Sequence, residues 1–175
     1  VLSGPGGVGK STVAHQLRGA PGITVSISAT TRAPRFNERA GFDYHFYSEE
    51  EFDKAIKNGD FLEWAEFAGS RYGTLAAPVL AALKSGESIL LEIEISGARQ
   101  VKAKMPEALL VFLKPPTWEE LVSRLEGRGT DSPERRTARL ALAQEEMAAA
   151  IFFDEVLIND DVKQVAATLL DWASA

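Results

Sequence analysis

Apolar and polar residues along the chain follow two alternating periods, which predicts strands interleaved with helices. Short runs rich in Val, Ile and Leu have the length and composition of buried strands. They lie at residues 1–2, 24–27, 88–92, 109–113 and 155–158. The segments between them carry apolar residues at helical spacing. Strands that alternate with helices are typical of an α/β fold, in which helices cover both faces of a parallel sheet.

Local signals mark the boundaries of several predicted helices. Ser48 and Glu51 fit the capping-box pattern of a hydroxyl followed three residues later by a glutamate, and the pattern recurs at residues 117–120. Ser132 and Pro133 fit an N-cap followed by a proline at the first helical position. Glycines fit the ends of two helices. The predicted helices therefore lie at 48–59, at 76–85, at 133–150 and from 117 onward.

Two stretches interrupt this alternation. Residues 28–74 contain short strand-like pieces at 44–47 and 61–67, so we expect them to form a small insert beside the main sheet. Residues 125–130 (Leu-Glu-Gly-Arg-Gly-Thr) form a basic, glycine-hinged turn between two helices, which is typical of a mobile lid. The lid is predicted at about 126–142. No internal repeat is found, and residues 1–175 are predicted to be one domain.

Composition narrows the functional classes. A formal net charge of −6 over 175 residues argues against a general nucleic-acid binder. No apolar run reaches membrane-spanning length, so we expect no integral membrane protein. The absence of cysteine excludes disulfides and thiolate metal sites, and it favours a cytoplasmic location. The chain begins in mid-strand without an initiator Met, so we expect further residues ahead of Val1.

The most specific pattern is Gly-Pro-Gly-Gly-Val-Gly-Lys-Ser at residues 4–11, a complete G-x-x-x-x-G-K-[ST] sequence. It follows a predicted strand and opens a helix predicted at 10–18, the context in which it forms a phosphate-binding loop rather than a linking turn. Glycines let the backbone N–H groups point inward, and the helix N-terminus adds partial positive charge. Lys10 can bridge the outer phosphates and Ser11 can ligate Mg²⁺. The pattern therefore predicts a site for a nucleoside triphosphate.

A second phosphate site is predicted at residues 28–35 (Ser-Ala-Thr-Thr-Arg-Ala-Pro-Arg). Three hydroxyls and two guanidinium groups lie within these eight residues. Arginine forks match the oxygens of a phosphate monoester. On its own, the segment is equally typical of a solvated basic loop. Residues further along the chain complete a constellation with it, namely Glu38, the turn at 41–44, Glu63 and Tyr72-Gly73-Thr74.

With these motifs the chain resembles the guanylate kinase family, from the phosphate loop to Ile158-Asn159-Asp160-Asp161. Beyond the two phosphate-binding segments, the resemblance is carried by Gly41-x-Asp43-Tyr44-x-Phe46, Phe61-Leu62-Glu63, Tyr72-Gly73-Thr74, Gly97-Ala98 and residues 125–130. It implies an α/β P-loop kinase with a GMP-binding insert and a helical lid. It also implies Mg²⁺-dependent transfer of the γ-phosphoryl group from ATP to GMP in purine metabolism, giving ADP and GDP. Whether dGMP is also accepted stays open.

The resemblance also implies the roles of individual residues. It implies that the GMP site is formed by Ser28, Arg32, Arg35, Tyr44, Glu63, Tyr72, Gly73, Thr74 and Glu94. It implies that ATP is bound by Gly4, Gly7, Val8, Gly9, Lys10, Ser11, Thr12, Arg124, Arg128 and Asn159. The implied ligands of Mg²⁺ are Ser11 and, through water, Glu92. The implied cations at the transferring phosphoryl group are Lys10, Arg35, Arg128 and Arg139.

The chemistry of guanine supports the role of Glu63 independently. Guanine presents N1–H and N2–H₂ donors beside its O6 acceptor, so a carboxylate and a hydroxyl are complementary to it. Adenine has an acceptor at N1, which would leave the carboxylate unpaired. A site built on such hydrogen bonds discriminates by roughly 10⁴ to 10⁵. The phosphate of GMP is itself the nucleophile, so no general base is expected.

Two other functions stay open from the sequence. One is a non-catalytic guanylate-kinase-like module that binds phosphorylated peptides, against which the intact Lys10 and Ser11 argue. The other is a P-loop kinase for a different acceptor, such as a sugar phosphate, which would not need Glu63. The sequence predicts no particular oligomeric state. Outside the motifs, Arg71 is expected to point to solvent rather than toward the GMP phosphate.

Overall fold

The computed structural model describes residues 1–126 and 133–174. In chain order, its strands are β1 (Leu2–Ser3), β2 (Ile23–Val25), β3 (Ala29–Thr30), β4 (His45–Phe46), β5 (Phe61–Phe67), β6 (Ser70–Leu75), β7 (Ser88–Leu90), β8 (Val111–Lys114) and β9 (Glu155–Ile158). Its helices are α1 (Lys10–Leu17), α2 (Glu49–Asn58), α3 (Ala76–Lys84), α4 (Ile95–Lys104), α5 (Trp118–Glu126), α6 (Pro133–Ala148) and α7 (Val162–Ala173), with a 3-10 turn at Ala149–Phe152. Within the described ranges, no helix is both long and apolar enough to span a bilayer.

Parallel strands form the central sheet. β2 pairs with β7, and β8 pairs with both β1 and β9. The two ladders meet at Leu2, whose N–H donates to the carbonyl of Leu91 (2.8 Å) and whose carbonyl accepts from the N–H of Ile93 (3.2 Å). The strand order is therefore β2-β7-β1-β8-β9. This arrangement confirms the predicted parallel sheet.

Helices cover both faces of this sheet, as predicted. On one face, α1, α5 and α7 pack through a cluster that includes Val13, Leu121 and Leu169. On the other face, α3 and α4 pack through Val79 and Val101. Burial on both faces explains why β1 and β8 fall on apolar runs in the sequence, whereas Val156 and Ile158 of the edge strand β9 are exposed. It leaves the carboxyl ends of the strands as the edge where polar side chains can gather into a site.

Several elements are shorter than predicted. The strands expected at 24–27 and 88–92 are reduced to β2 and β7, because the chain turns into the insert after β2 and only a single bridge, from Glu92 to Leu2, continues β7. The helix expected to reach residue 150 ends at Ala148 and tightens into the 3-10 turn. That helix begins at Pro133, as predicted, and its predicted N-cap, Ser132, lies outside the described residues. The elements that were predicted thus have the expected types, whereas α4, α7, β3 and β6 were not predicted from the sequence.

The two predicted capping boxes differ in the structure. At the start of α2 the box is complete, because the N–H of Glu51 donates to Ser48 Oγ (3.1 Å) and the N–H of Ser48 donates to Glu51 Oε2 (2.7 Å). At the start of α5 only half of the box forms. The N–H of Glu120 donates to Thr117 Oγ1 (3.1 Å), but the carboxylate of Glu120 accepts from Arg124 instead. An ion pair within α5 therefore replaces the second half of that box.

The insert has its own sheet, in the order β4-β3-β6-β5, and its own apolar cluster. Phe52 of α2 packs against Phe61 of β5 with ring centroids 4.5 Å apart, and Ala29 of β3 is fully buried beside them. The left-handed conformation of Gly59 (φ 73°) ends α2 and turns the chain into β5. This small sheet presents the polar residues of β3, β5 and β6 to the rest of the molecule.

The prediction for Arg71 is wrong. Its guanidinium donates to Asp53 (2.6 Å) and Glu49 of α2 and lies 4.8 Å from the ring centroid of Phe52. The side chain is 16% exposed. Burial of its stem over an aromatic ring, with two carboxylates at its head, is more favourable than full hydration. Arg71 therefore fastens β6 to α2 and strengthens the insert.

Candidate functional site

The phosphate loop connects β1 to α1 and requires glycine at its ends. A Cβ on Gly4 (φ 150°) would lie 2.4 Å from the carbonyl oxygen of Leu113 in β8. A Cβ on Gly9 (φ 102°), the residue that caps α1, would lie 2.6 Å from Nδ2 of Asn159. The backbone of the loop therefore lies against both β8 and the segment after β9. Side chains at either glycine would force the loop out of this position.

Lys10 follows the phosphate loop in the sequence, and its side chain folds back against the loop. Its Nζ donates to the carbonyl of Gly4 (2.6 Å) and lies 3.8 Å from Oε2 of Glu94, and the residue is buried. Glu94 is the residue that immediately precedes α4. The ammonium is thus held between the loop and the carboxyl end of the sheet. It is the position from which a cation can reach phosphates bound by the loop.

Ser11 and Glu92, the two residues predicted to hold Mg²⁺, contact each other. The hydroxyl of Ser11, in the first turn of α1, donates to Glu92 Oε1 (2.5 Å). Burial raises the pKa of Glu92, while the Ser11 hydroxyl and Lys10 act in the opposite direction. A hydroxyl and a carboxylate are hard oxygen donors of the kind that Mg²⁺ uses, together with phosphate oxygens and water. Among the described residues, no group of three or more His, Cys, Asp or Glu side chains could hold a metal by itself.

Two residues predicted to bind ATP, Arg124 and Asn159, converge on the carbonyl of Val8 in the loop. Arg124 of α5 donates to it from Nη1 (3.1 Å), and Asn159 donates to it from Nδ2 (2.8 Å). Asn159 is buried, and within the described structure its Oδ1 accepts no hydrogen bond. A buried acceptor without a donor is costly unless a ligand supplies one. Thr12 is exposed in the first turn of α1.

One side chain that contacts the loop, Glu146, was not predicted from the sequence. Glu146 of α6 accepts a hydrogen bond from the N–H of Gly6 through Oε2 (2.9 Å). Burial raises the pKa of Glu146, and the Gly6 N–H and Lys10 oppose that rise. The contact joins residues 140 positions apart. No motif includes Glu146, so only the docking of α6 on the loop reveals it.

The predicted phosphate-binding arginine of the insert is held by a carboxylate. Arg32 donates two parallel hydrogen bonds to Glu38 (3.0 and 2.9 Å), and this contact lowers the pKa of Glu38. The same guanidinium lies 5.4 Å from the ring centroid of Tyr44, which makes an edge contact with Tyr72 (6.1 Å). Arg35 donates only its N–H to Glu38 (2.8 Å), and its side chain is 67% exposed. Three of the four predicted phosphate contacts thus lie together, and Arg35 extends to solvent.

The predicted base-reading pair is formed and buried. Thr74 Oγ1 of β6 donates to Glu63 Oε1 of β5 (2.6 Å), and burial raises the pKa of Glu63 although Thr74 opposes the rise. Glu63 is 4% exposed and Thr74 is fully buried. A Cβ on Gly73 would meet the ring of Phe61 at 2.7 Å, so glycine lets β6 approach β5 closely at this pair. Ser28 is partly buried just ahead of β3, without a contact to the pair in the described structure.

A cavity of about 950 Å³ is bordered by the phosphate loop on one side and by part of the insert on the other. Its walls come from the phosphate loop, Ser11, Glu92, Glu94, Tyr44, Arg124, Arg139, Glu146 and Asn159. Tyr44 also contacts Arg32 of the insert. The pKa of Glu63 is raised mainly by burial, and the negative charge of Glu94 adds to that rise. Arg128 lies outside the described residues, as does part of the predicted lid. Of the predicted GMP residues, Tyr44 and Glu94 line this cavity, so the phosphate loop and one edge of the insert border the same space.

Comparisons with known proteins all point to one family. The sequence profile of the guanylate kinase family matches residues 1–174. The chain is 58% identical over 171 residues to a guanylate kinase of Streptomyces coelicolor and 54% identical to one of Thermobifida fusca, covering 97% of this chain and 87% of each relative. A crystal structure of guanylate kinase from Anaplasma phagocytophilum matches with a TM-score of 0.80 at 34% identity, covering 99% of this chain and 82% of that one.

Proposed function

The chain belongs to the guanylate kinase family, and from that premise we propose how its residues divide the work between two nucleotides. As a guanylate kinase it is an ATP:GMP phosphotransferase, which transfers the γ-phosphoryl group of ATP to GMP and releases ADP and GDP. ATP is proposed to bind the phosphate loop, and GMP is proposed to bind the insert. The observation that carries this division is the single cavity shared by Lys10, Ser11, Glu94 and Tyr44.

The guanine base is proposed to be read by Glu63, Thr74, Ser28 and Glu94. Glu63 is oriented by the Thr74 hydroxyl, which leaves its second oxygen to accept from the N1–H and N2–H₂ groups of guanine. Because Thr74 donates its single hydroxyl proton to Glu63, the Ser28 hydroxyl is the proposed donor to O6. Because Glu63 is almost fully buried, its carboxylate has no water to replace a missing partner. That burial is what converts complementary hydrogen bonds into selectivity.

The phosphate of GMP is proposed to bind Arg32, Arg35, Tyr44 and Tyr72. Arg32 is already fixed by Glu38, so little side-chain freedom is lost when a phosphate oxygen approaches it. Arg35 is held only loosely, with Nη1 4.0 Å from Glu38 Oε1 and a side chain that is 67% exposed, so it can swing onto the phosphate. Both guanidinium groups present planar donor forks that suit a phosphate monoester.

Phosphoryl transfer mainly requires alignment of the two nucleotides and positive charge on the transferring group. Lys10 supplies charge from the loop, Arg139 from α6 and Arg35 from the insert; Arg128 is proposed for the same purpose. Ser11 and Glu92 would hold Mg²⁺, which when bound supplies charge neutralisation at the phosphates. The attacking oxygen belongs to an anionic phosphate, so these residues need not remove a proton from it. Arg124 and Asn159 are proposed to bind the nucleoside of ATP.

Variants that impair the ATP site and the GMP site separately test this division. We expect Lys10→Ala to abolish turnover while changing the Kd of GMP little, because Lys10 is proposed to act on the phosphates of ATP. We expect Arg32→Ala to raise the KM for GMP by roughly ten- to hundred-fold, the cost of one charged hydrogen-bonding partner, and to leave the KM for ATP unchanged. Calorimetric titration of each nucleotide and steady-state kinetics check both. Loss of ATP affinity in Arg32→Ala would contradict the division.

A further inference from the structure

One face of α6 lies over the phosphate loop. Arg139, Leu142, Ala143 and Glu146 all line the shared cavity, and the last three follow Arg139 by three, four and seven residues, which places all four on a single helical stripe. Ala143 is 1% exposed and belongs to the apolar cluster that contains Leu121 of α5. The stripe therefore combines a buried small residue, on which the helix seats, with a charged residue at each end.

Glu146 connects this stripe to the loop backbone. Its Oε2 accepts from the N–H of Gly6 at 2.9 Å, and the charged groups that act on it most are Lys10 and Glu94. A partly buried carboxylate next to a phosphate site is unfavourable for an anionic ligand, because two like charges approach each other in a medium of low dielectric constant. Its presence is therefore not explained by affinity for ATP. It is explained if the hydrogen bond to Gly6 has a geometric role.

We infer that Glu146 is a positioning residue, which fixes Arg139 over the phosphate loop by tying α6 to Gly6. The two side chains are separated by seven residues, about 10 Å along the helix axis, so a small tilt of α6 at Glu146 displaces the Arg139 guanidinium. An error of about 1 Å in such a group costs on the order of 10² in rate. The inference rests on the proposed role of Arg139 in phosphoryl transfer.

Three variants separate this role from charge and from folding. In Glu146→Ala the hydrogen bond is lost, and we expect kcat to fall by roughly ten- to hundred-fold while the KM for GMP is unchanged. In Glu146→Gln the amide oxygen still accepts from Gly6 N–H, and we expect kcat to stay near the wild-type value. Glu145→Ala is the matched control, because Glu145 is the exposed neighbour on the same helix. Its kinetics should match those of the wild type.

A double-mutant cycle with Arg139→Ala tests whether Glu146 acts through Arg139. We expect Arg139→Ala to lower kcat, and we expect the addition of Glu146→Ala to lower it little further, because the group that it positions is gone. Additive losses in the double variant, or equal losses in Glu146→Ala and Glu146→Gln, would overturn the inference while leaving the proposed function intact. An unchanged kcat in Arg139→Ala would instead contradict the proposed function itself. Circular dichroism on each variant corrects kcat for the folded fraction.

Discussion

Replacement of Glu63 by glutamine isolates base recognition from every other part of the site. The change is nearly isosteric and keeps one oxygen to accept the hydrogen bond from Thr74, which is 2.6 Å long in the native protein. The second oxygen, proposed to face the guanine donors, becomes an NH₂ group. Two donors then oppose each other in a position where Glu63 is 4% exposed, so water cannot relieve the mismatch.

The expected cost follows from that burial. An unpaired buried donor costs about 1–3 kcal/mol, which corresponds to roughly 5- to 150-fold in kcat/KM for GMP. The KM for ATP should not change, because ATP is proposed to bind the phosphate loop. Adenine carries an acceptor at N1, which the new amide can satisfy, so kcat/KM for AMP should rise. The ratio of the two specificity constants therefore changes more than either constant alone.

The same substitution should not weaken the fold. Burial raises the pKa of Glu63 in the folded protein above its ordinary value of 4.5. The folded state thus binds the proton more tightly than the unfolded state does. The contribution of Glu63 to stability is therefore greatest below pH 4.5, and it falls as the pH rises through the folded pKa. At neutral pH the amide avoids this penalty, so we expect the Tm of Glu63→Gln to equal or exceed that of the wild type.

A coupled assay of ADP release measures kcat/KM for GMP and for AMP at saturating ATP, and the KM for ATP at saturating GMP. Thermal unfolding measures the Tm. Glu50→Gln is the matched control, since Glu50 is an exposed carboxylate on α2 of the same insert. An equal loss of kcat/KM for GMP and ATP, or an unchanged ratio of GMP to AMP, would refute the role of Glu63 in reading the base.

Two further predictions concern positions that support the site. Gly97→Ala in α4 should raise the KM for GMP by about ten-fold, because a Cβ there would lie 2.4 Å from Glu63 Oε2. An unchanged KM would contradict this prediction and show that the Glu63 side chain can move aside. The only effect would then be the gain in stability of about 1 kcal/mol that is usual for this change in a helix. Ser48→Ala should lower the free energy of unfolding by about 1 kcal/mol, because it removes the acceptor for the N–H of Glu51. Urea unfolding checks this second change, and wild-type stability would contradict it.

Features that depend on residues close together in the sequence could be predicted. The phosphate loop depends on glycines whose conformations are local, and the capping box at Ser48 depends on residues three apart. Helical and extended periodicity predicted the alternation of elements, because burial on both faces of a parallel sheet leaves a direct pattern in the sequence. The residues of the GMP site were predicted through the family resemblance, since Glu63 and Thr74 are brought together only by the pairing of β5 and β6.

Features that depend on distant packing could not be predicted in this way. Arg71 contacts α2 because β6 and α2 lie side by side, which its neighbours in sequence do not indicate. Glu146 reaches Gly6 only because α6 docks over the phosphate loop. The box at Thr117 is half formed because Arg124 offers Glu120 a competing partner. In each case a long side chain had several possible partners, and the tertiary fold selected one.

The most direct test of the central claim is a comparison of GMP, AMP, UMP, CMP and TMP as phosphoryl acceptors. The coupled assay of ADP release is run with ATP and Mg²⁺ at matched concentrations of each acceptor. Rapid turnover with GMP alone is the predicted result, because Glu63, oriented by Thr74, and the Ser28 hydroxyl are proposed to complement guanine and no other base in the set. Absence of turnover with every acceptor, together with measurable GMP binding, would contradict the claim and would indicate a non-catalytic binding module.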